Sequence, residues 1–215
     1  DALPIFTILR YDVLLELVHR YNYTSYLEIG CFLDEVFSRI RNEVGFAVGV
    51  DPTSGGTHRL TSDAFFDQND ESFDLIFVDG DHRAKQTFVD VIHALQVLRP
   101  GGTIVIHDCN PHTEKSLIPY RHVFNAYNGD VWKVVPFLRG LEDVEFVTID
   151  IDHGVGVLRV RENRHPLPEL LQQQLDMAAN YPLEAFTYND LDNHREDLLR
   201  LVSISEFRAW LDEEI

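Results

Sequence analysis

Between Ser72 and Cys109 the chain reads SFDLIFVDGDHRAKQTFVDVIHALQVLRPGGTIVIHDC, which divides into a strand, a helix and a second strand. Phe73 to Val78 is a mainly apolar run, as expected of a strand buried on both faces, and the acidic turn Asp79-Gly80-Asp81-His82 follows at once. Phe88, Val91, Ile92, Leu95 and Leu98 then recur at helical spacing, and Pro100-Gly101-Gly102 is expected to stop that helix. Thr103 to Ile106 reads as another buried strand, closing on His107 and Asp108. A crossover of this kind makes its two strands parallel and right-handed. Their polar ends therefore emerge along one sheet edge, where open α/β sheets bind ligands.

The flanking sequence extends this pattern. Residues 3–21 carry Ile5, Ile8, Leu9, Leu14, Leu17, Val18 and Tyr21 at helical spacing. Ser25 to Cys31 predicts the first strand, Asp34 to Glu43 a helix, and Phe46 to Asp51 the second strand. A turn over Pro52 to Gly56 precedes a short third strand at His58 to Leu60 and a brief helix over Ala64 to Gln68. The few residues between Asp51 and Asp63 leave little or no room for the usual crossover helix. Val131 to Leu138 is expected to be helical. Val144 to Ile151 and Gly154 to Val160 read as an antiparallel hairpin turning at Asp152-His153-Gly154. Beyond Arg161 the composition changes: a glutamine-rich helix at Leu167 to Ala179, an irregular stretch at Tyr181 to Asn193, and a last helix capped by Ser203-Ile204-Ser205-Glu206.

Composition narrows the partners. A formal net charge of -18 disfavours phosphate backbones and anionic membranes, so neither nucleic acid nor a membrane is expected to bind. No apolar run reaches the ~18 residues of a membrane span. The chain begins at Asp1 rather than methionine, so the lack of a visible targeting signal carries little weight. Cys31 and Cys109 show no metal-type spacing, and reduced thiols in a cytoplasmic protein are the simplest account.

The order of strands and strand-end acids resembles the class I S-adenosylmethionine-dependent methyltransferases over Ser25 to Arg161. The FDLIFVDGDH…LRPGGTIVIHDC block is similar to the methyltransferase domain 24 type, small-molecule enzymes often found beside sugar and polysaccharide biosynthesis. That resemblance implies a Rossmann-like three-layer α/β sandwich, with a seven-stranded, mostly parallel sheet whose last strand is antiparallel. Residues 1–161 would form the methyltransferase domain and 162–215 a helical extension packed on it.

The same resemblance implies S-adenosylmethionine as cofactor. Glu28 and Gly30 would lie at its amino-acid part, Asp51 at the ribose hydroxyls, Ser62 and Asp63 near the adenine, and Asp79 beside the sulfonium. Each also has an ordinary reading alone: Glu28 as a buried acid bonded to backbone, Gly30 as a turn residue, Asp51 as strand-end punctuation, Ser62-Asp63 as a helix cap. Asp34 stands where the family pattern has a second glycine, and its charge either opposes the cofactor carboxylate or caps a helix. A G-x-G-x-x-G fingerprint is missing, which argues against a nicotinamide enzyme.

Methyl transfer to a hydroxyl needs alignment and a base. His107 or Asp81 leads as that base, and His82 is the third candidate, with a solvent-facing helix-start residue as its ordinary reading. Asp79, Asp108 and His107 are also candidates to hold Mg²⁺ or another divalent cation, although histidine replaces a second acid there and hard cations prefer oxygen. His112, Tyr120, His122, Asn128, Asp130 and Trp132 would overhang the pocket, and suit a sugar-like or phenolic acceptor. Trp132 reads equally as a core anchor. The expected activity is O-methylation of a small polar molecule such as a saccharide, by a monomer or homodimer. The alternative is an inactive methyltransferase-fold binding module.

Overall fold

The computed structural model of the chain describes residues 7–118, 127–141, 143–160 and 181–213. Within them the chain runs α1 (Arg10–Tyr21), β1 (Ser25–Ile29), α2 (Phe37–Ile40), β2 (Phe46–Val50), α3 (Ser62–Phe66), β3 (Phe73–Val78), α4 (Ala84–Val97) and β4 (Leu98–Ile106). A 3-10 turn at Val131–Val134 leads into α5 (Val135–Arg139), the hairpin β5 (Val144–Ile149) and β6 (Val155–Val160), then α6 (Tyr188–Leu199), β7 (Leu201–Val202) and α7 (Ile204–Leu211). The strands form one seven-stranded sheet in the order β2-β1-β3-β4-β6-β5-β7. Only β6 runs antiparallel to its neighbours. Among the described residues no helix is long and apolar enough to cross a membrane.

Alternation along the strands builds the core on both faces. Leu27, Ile29, Ile76, Val78, Ile104 and Ile106 pack against α4 and α5. Tyr26, Leu75, Phe77, Val105 and Val157 face the other way, against α1, α2 and α7. Burying both faces is what the apolar runs require, and each fully buried Leu, Ile or Phe contributes roughly 1.5–3 kcal/mol.

Register sets the site. Ile29 pairs with both Val50 and Val78, and Val78 pairs with Ile106. The residues that follow (Gly30, Asp51, Asp79 and His107) therefore leave the sheet at one level along its carboxyl edge.

Several sequence expectations change. Helix α1 begins at Arg10, with Leu9 extended. The helix expected over Asp34 to Glu43 contracts to Phe37–Ile40. The third strand at His58 to Leu60 is a single bridge, Val50 to His58, because the connection is too short to carry a crossover. The seventh strand is instead Leu201–Val202, which adds to β5 in parallel, so the antiparallel strand is sixth in chain order. Helix α4 ends at Val97, and Pro100-Gly101-Gly102 lies inside β4, where a Cβ on Gly102 would meet the Asp74 carbonyl oxygen at 2.7 Å. The stretch read as irregular holds α6, opened by a capping box of Thr187 and Asp190 that the sequence does carry. The helix expected at Leu167 to Ala179 lies outside the described residues.

Candidate active site

A crevice of about 740 Å³ opens along the carboxyl edge, and Gly30, Asp51, Ser62, Asp63, Asp79 and Asp81 are among the residues lining it. Two hydrogen bonds fix its floor: Gly30 N–H donates to Val50 O at 2.8 Å, and Asp79 N–H donates to Ile29 O at 2.9 Å. Gly30 has φ +93°, and a Cβ there would lie 2.1 Å from the Asp79 carbonyl oxygen. The glycine is thus required by the neighbouring strand end, whatever the crevice holds.

Asp51 orders the turn after β2. Its Oδ1 accepts from Thr53 N–H at 2.7 Å, Thr53 Oγ1 at 2.8 Å and Ser54 N–H at 2.9 Å, and its Oδ2 accepts from Phe32 N–H at 2.9 Å. Burial opposes its charge, but these donors outweigh it and hold the pKa below the usual value. Only Oδ2 keeps spare acceptor capacity. Asp34 has φ +61°, the left-handed backbone that a glycine would supply and that aspartate tolerates better than most residues. Its carboxylate accepts from Gly56 N–H at 2.6 Å and is not among the residues lining the crevice.

Thr61 caps α3, accepting from Ala64 N–H at 3.2 Å, so Ser62 and Asp63 open that helix rather than cap it. Gln86 on α4 ties this end together, donating to Asp63 Oδ1 at 3.0 Å and Asp90 Oδ1 at 3.1 Å. Asp90 escaped the sequence reading. It is buried, and burial pushes its pKa up to about 6. The available signal was an acid flanked by Phe88, Val91 and Ile92 on an otherwise apolar helix face.

A second cavity of about 410 Å³ shares Gly30, Phe32, Asp79, His82 and Tyr127 with the crevice and adds Arg10, Glu28, His107, Asp108 and Asp152. Glu28 therefore lines the second cavity with Gly30 and Asp79, not the crevice that holds Asp51, Ser62 and Asp63. The Tyr26 hydroxyl donates to its Oε2 at 2.5 Å, and burial pushes its pKa up to about 8. A carboxyl raised in the fold favours folding below its unfolded value near 4.5, and that stability is lost as pH rises toward 8. Glu28→Gln is accordingly expected to melt above the parent at pH 8, by on the order of 2 kcal/mol, with the gap closing toward pH 5. Thermal melts across that range check it.

His107 is locked between acids. Its Nε2 lies 2.7 Å from the Asp152 carbonyl oxygen, and its Nδ1 lies 3.2 Å from Asp79 Oδ1 and 3.5 Å from Asp108 Oδ2. Carbonyl and carboxylate oxygens only accept, so both ring nitrogens carry protons. Burial opposes that charge, yet Asp108 and Asp79 raise its pKa well above the usual histidine value. Burial likewise opposes the Asp108 and Asp152 carboxylates, but His107, with His82 at Asp108 and Arg10 at Asp152, holds both well below their usual range.

His82 is largely buried rather than solvent-facing, its side chain 11% exposed. Its Nδ1 is 3.0 Å from Asp108 Oδ2, its Nε2 is 3.8 Å from Asp79 Oδ1, and its ring stacks on Tyr127 at 4.4 Å. Residues 128–130 wrap around it: Asp130 N–H donates to the His82 carbonyl oxygen at 3.0 Å, and the Asn128 amide donates to Asp108 Oδ1 at 2.5 Å. Burial lowers the His82 pKa, but Asp108 and Asp79 leave it above the usual value. Asp81 stands apart, paired with Arg83, which lowers its pKa. The three groups with ligand atoms within 4.8 Å of one another are Asp79, His82 and Asp108, so His82 rather than His107 completes the only such cluster among the described residues.

Of the expected overhang, Trp132 is fully buried, Asp130 accepts from Ala84 N–H at 2.7 Å, and only Asn128 lines the second cavity. Tyr120 and His122 lie outside the described residues.

The sheet order, with its antiparallel strand inserted beside β4 and its crevice at the carboxyl edge, defines a class I methyltransferase fold. Residues 14–109 match the model of the family described as "Methyltransferase domain", type 24. Similar solved structures include the SAH-bound Podospora anserina methyltransferase PaMTH1, with 15% identity and TM-score 0.52 over 71% of this chain and 78% of that one. An O-methyltransferase from Bacillus cereus in complex with SAH aligns at 17% identity and TM-score 0.50, over 74% and 80%. A curated relative from Mycobacterium sp. (strain JLS), bearing an O-methyltransferase name, is 50% identical over 38 residues, 18% of this chain and 16% of that protein.

Proposed function

We propose that the chain transfers a methyl group from S-adenosylmethionine to a hydroxyl of a small polar acceptor, a saccharide or related metabolite. The observation carrying this reading is that the two cavities meet at Asp79 and His82. The larger one offers acids suited to an adenosyl ligand: Asp51 at the ribose and Asp63 with Gln86 at the adenine end. The smaller one is polar and holds the candidate base. When bound, the sulfonium supplies an activated methyl carbon, which the acceptor oxygen attacks as the carbon–sulfur bond breaks.

His82 takes the acceptor proton on Nε2, and the Asp108 charge 3.0 Å from its buried Nδ1 favours keeping the other proton there. His107 is already protonated on both nitrogens and serves to hold Asp79 and Asp108 in place. Asp81, bound to Arg83, is the weaker candidate. Asp79 and Asp108 already face His107, with Arg10 also near Asp79, and the third donor of the cluster is a nitrogen. That set fits Mg²⁺ poorly, since Mg²⁺ favours oxygen ligands.

Calorimetric titration with S-adenosylhomocysteine tests the donor reading. The parent is expected to bind, and Asp51→Ala to weaken binding by about 30-fold or more through lost charge-assisted bonds to the ribose. A parent that binds neither this ligand nor S-adenosylmethionine removes the reading.

A further inference from the structure

We propose that Arg10, the first residue of α1, holds the carboxylate of the cofactor's amino-acid end. This rests on the donor reading above and assigns a residue that lies outside the strand-end pattern altogether.

Arg10 reaches the site from the opposite end of the sequence. Its backbone N–H and its Nη1 both donate to Asp152 Oδ2, at 3.0 and 2.9 Å, which pins the start of α1 to the β5–β6 turn. Its Nε–H is buried and makes no hydrogen bond, and Asp79 Oδ2 stands 3.6 Å away, beyond good hydrogen-bond range. Its side chain is 22% exposed and lines the second cavity beside Gly30 and Glu28. A buried donor left unused is costly unless something else satisfies it.

Charge distribution says what that something is. The acids Asp51, Asp63, Asp79, Asp81 and Asp90 line the larger crevice, whose one arginine, Arg83, is paired with Asp81. An anionic group on an adenosyl ligand is therefore repelled along most of that wall. Among the described residues lining the second cavity, Arg10 is the one arginine beside the acids Glu28, Glu35, Asp79, Asp108 and Asp152, and with Asp79, which both cavities share, it forms a loose pair of opposite charges. An α-amino acid presents an ammonium and a carboxylate side by side, and such a pair complements both. Asp79 accepts from the ammonium and Arg10 donates to the carboxylate. Glu28, whose carboxyl is buried against Tyr26, is left out of that exchange.

The test compares S-adenosylhomocysteine with S-adenosylthiopropylamine, the same molecule lacking its carboxylate, by calorimetry on the full chain. The parent is expected to bind the carboxylate-free ligand about 10- to 100-fold more weakly. In Arg10→Gln that preference should vanish, with S-adenosylhomocysteine falling to the level of its analogue and Arg10→Lys restoring part of the difference. Equal affinities of the parent for both ligands overturn the proposal without any variant. So does an Arg10→Gln protein that weakens both ligands by one common factor, since that marks a purely structural role at Asp152. A parent that binds neither ligand removes the donor reading itself, and the proposal with it.

Discussion

Replacing His82 with glutamine is expected to lower kcat by about 10²–10⁴-fold, the usual worth of a positioned base, while affinity for S-adenosylhomocysteine stays close to the parent's. The side chain sits where the two cavities join, and its buried Nδ1 faces Asp108 Oδ2 at 3.0 Å. That leaves Nε2 as the proton acceptor. The pH profile gives an independent sign. A base works only when deprotonated, and the neighbouring acids lift the His82 pKa above the ordinary value despite burial. Parental turnover should therefore climb with pH through a point above 6.5, and glutamine should flatten that limb. Stability runs the other way, because a histidine raised in the fold stabilises it at low pH and loses that contribution as pH rises. Near-parental turnover in His82→Gln would clear the residue and return Asp81 to consideration.

Gly30→Ala is expected to destabilise the fold by about 3 kcal/mol or more, lowering the melting temperature by roughly 10 °C. Two costs combine: a left-handed backbone at φ +93°, and a Cβ driven to 2.1 Å from the Asp79 carbonyl oxygen. Gly101 separates them. It has φ +77° but nothing within 4 Å of its would-be Cβ, so Gly101→Ala should lose only about 1 kcal/mol from backbone strain. Equal losses at the two positions would mean that contact with the Asp79 strand end is unimportant. Should Gly30→Ala remain folded, its displaced Asp79 ought also to weaken S-adenosylhomocysteine binding, which Gly101→Ala should not.

The parallel core was readable because buried strands and amphipathic helices impose periods of their own. β3 was legible to the residue, since Phe73–Val78 is bounded by polar turns on both sides. The edges were less so. Leu201–Val202 has only two residues and no pattern, and it becomes a strand because β5 offers it a free edge. His58 to Leu60 read as a short strand even though the few residues after Asp51 leave little room for a crossover, and only the Val50–His58 bridge forms.

At the site, the strand-end acids were visible as residue types in order, and β-register placed Gly30, Asp51 and Asp79 on one level, as that order implied. Their protonation states were not visible. His107 reads as a base because histidine usually titrates near neutrality; in the fold burial opposes its charge, but Asp108 and Asp79 raise its pKa well above that value, and Asp152, 45 residues away, presents its carbonyl oxygen to Nε2. Asp34 looked like an intruding charge until its left-handed backbone and its bond to Gly56 turned it elsewhere.

Hydrophobic periodicity and strand-end punctuation, both local in the chain, sufficed to determine the central parallel strands, their crossover and the edge on which their polar residues emerge. Which groups there carry charge, accept a proton or remain unsatisfied was decided only by tertiary contact. Arg10 meets Asp152 across 142 residues, and Glu28 is buried with its carboxylate bonded to the Tyr26 hydroxyl. Proton affinity depends on desolvation and on charges a few ångströms away in space, and neither quantity is encoded by neighbours in sequence.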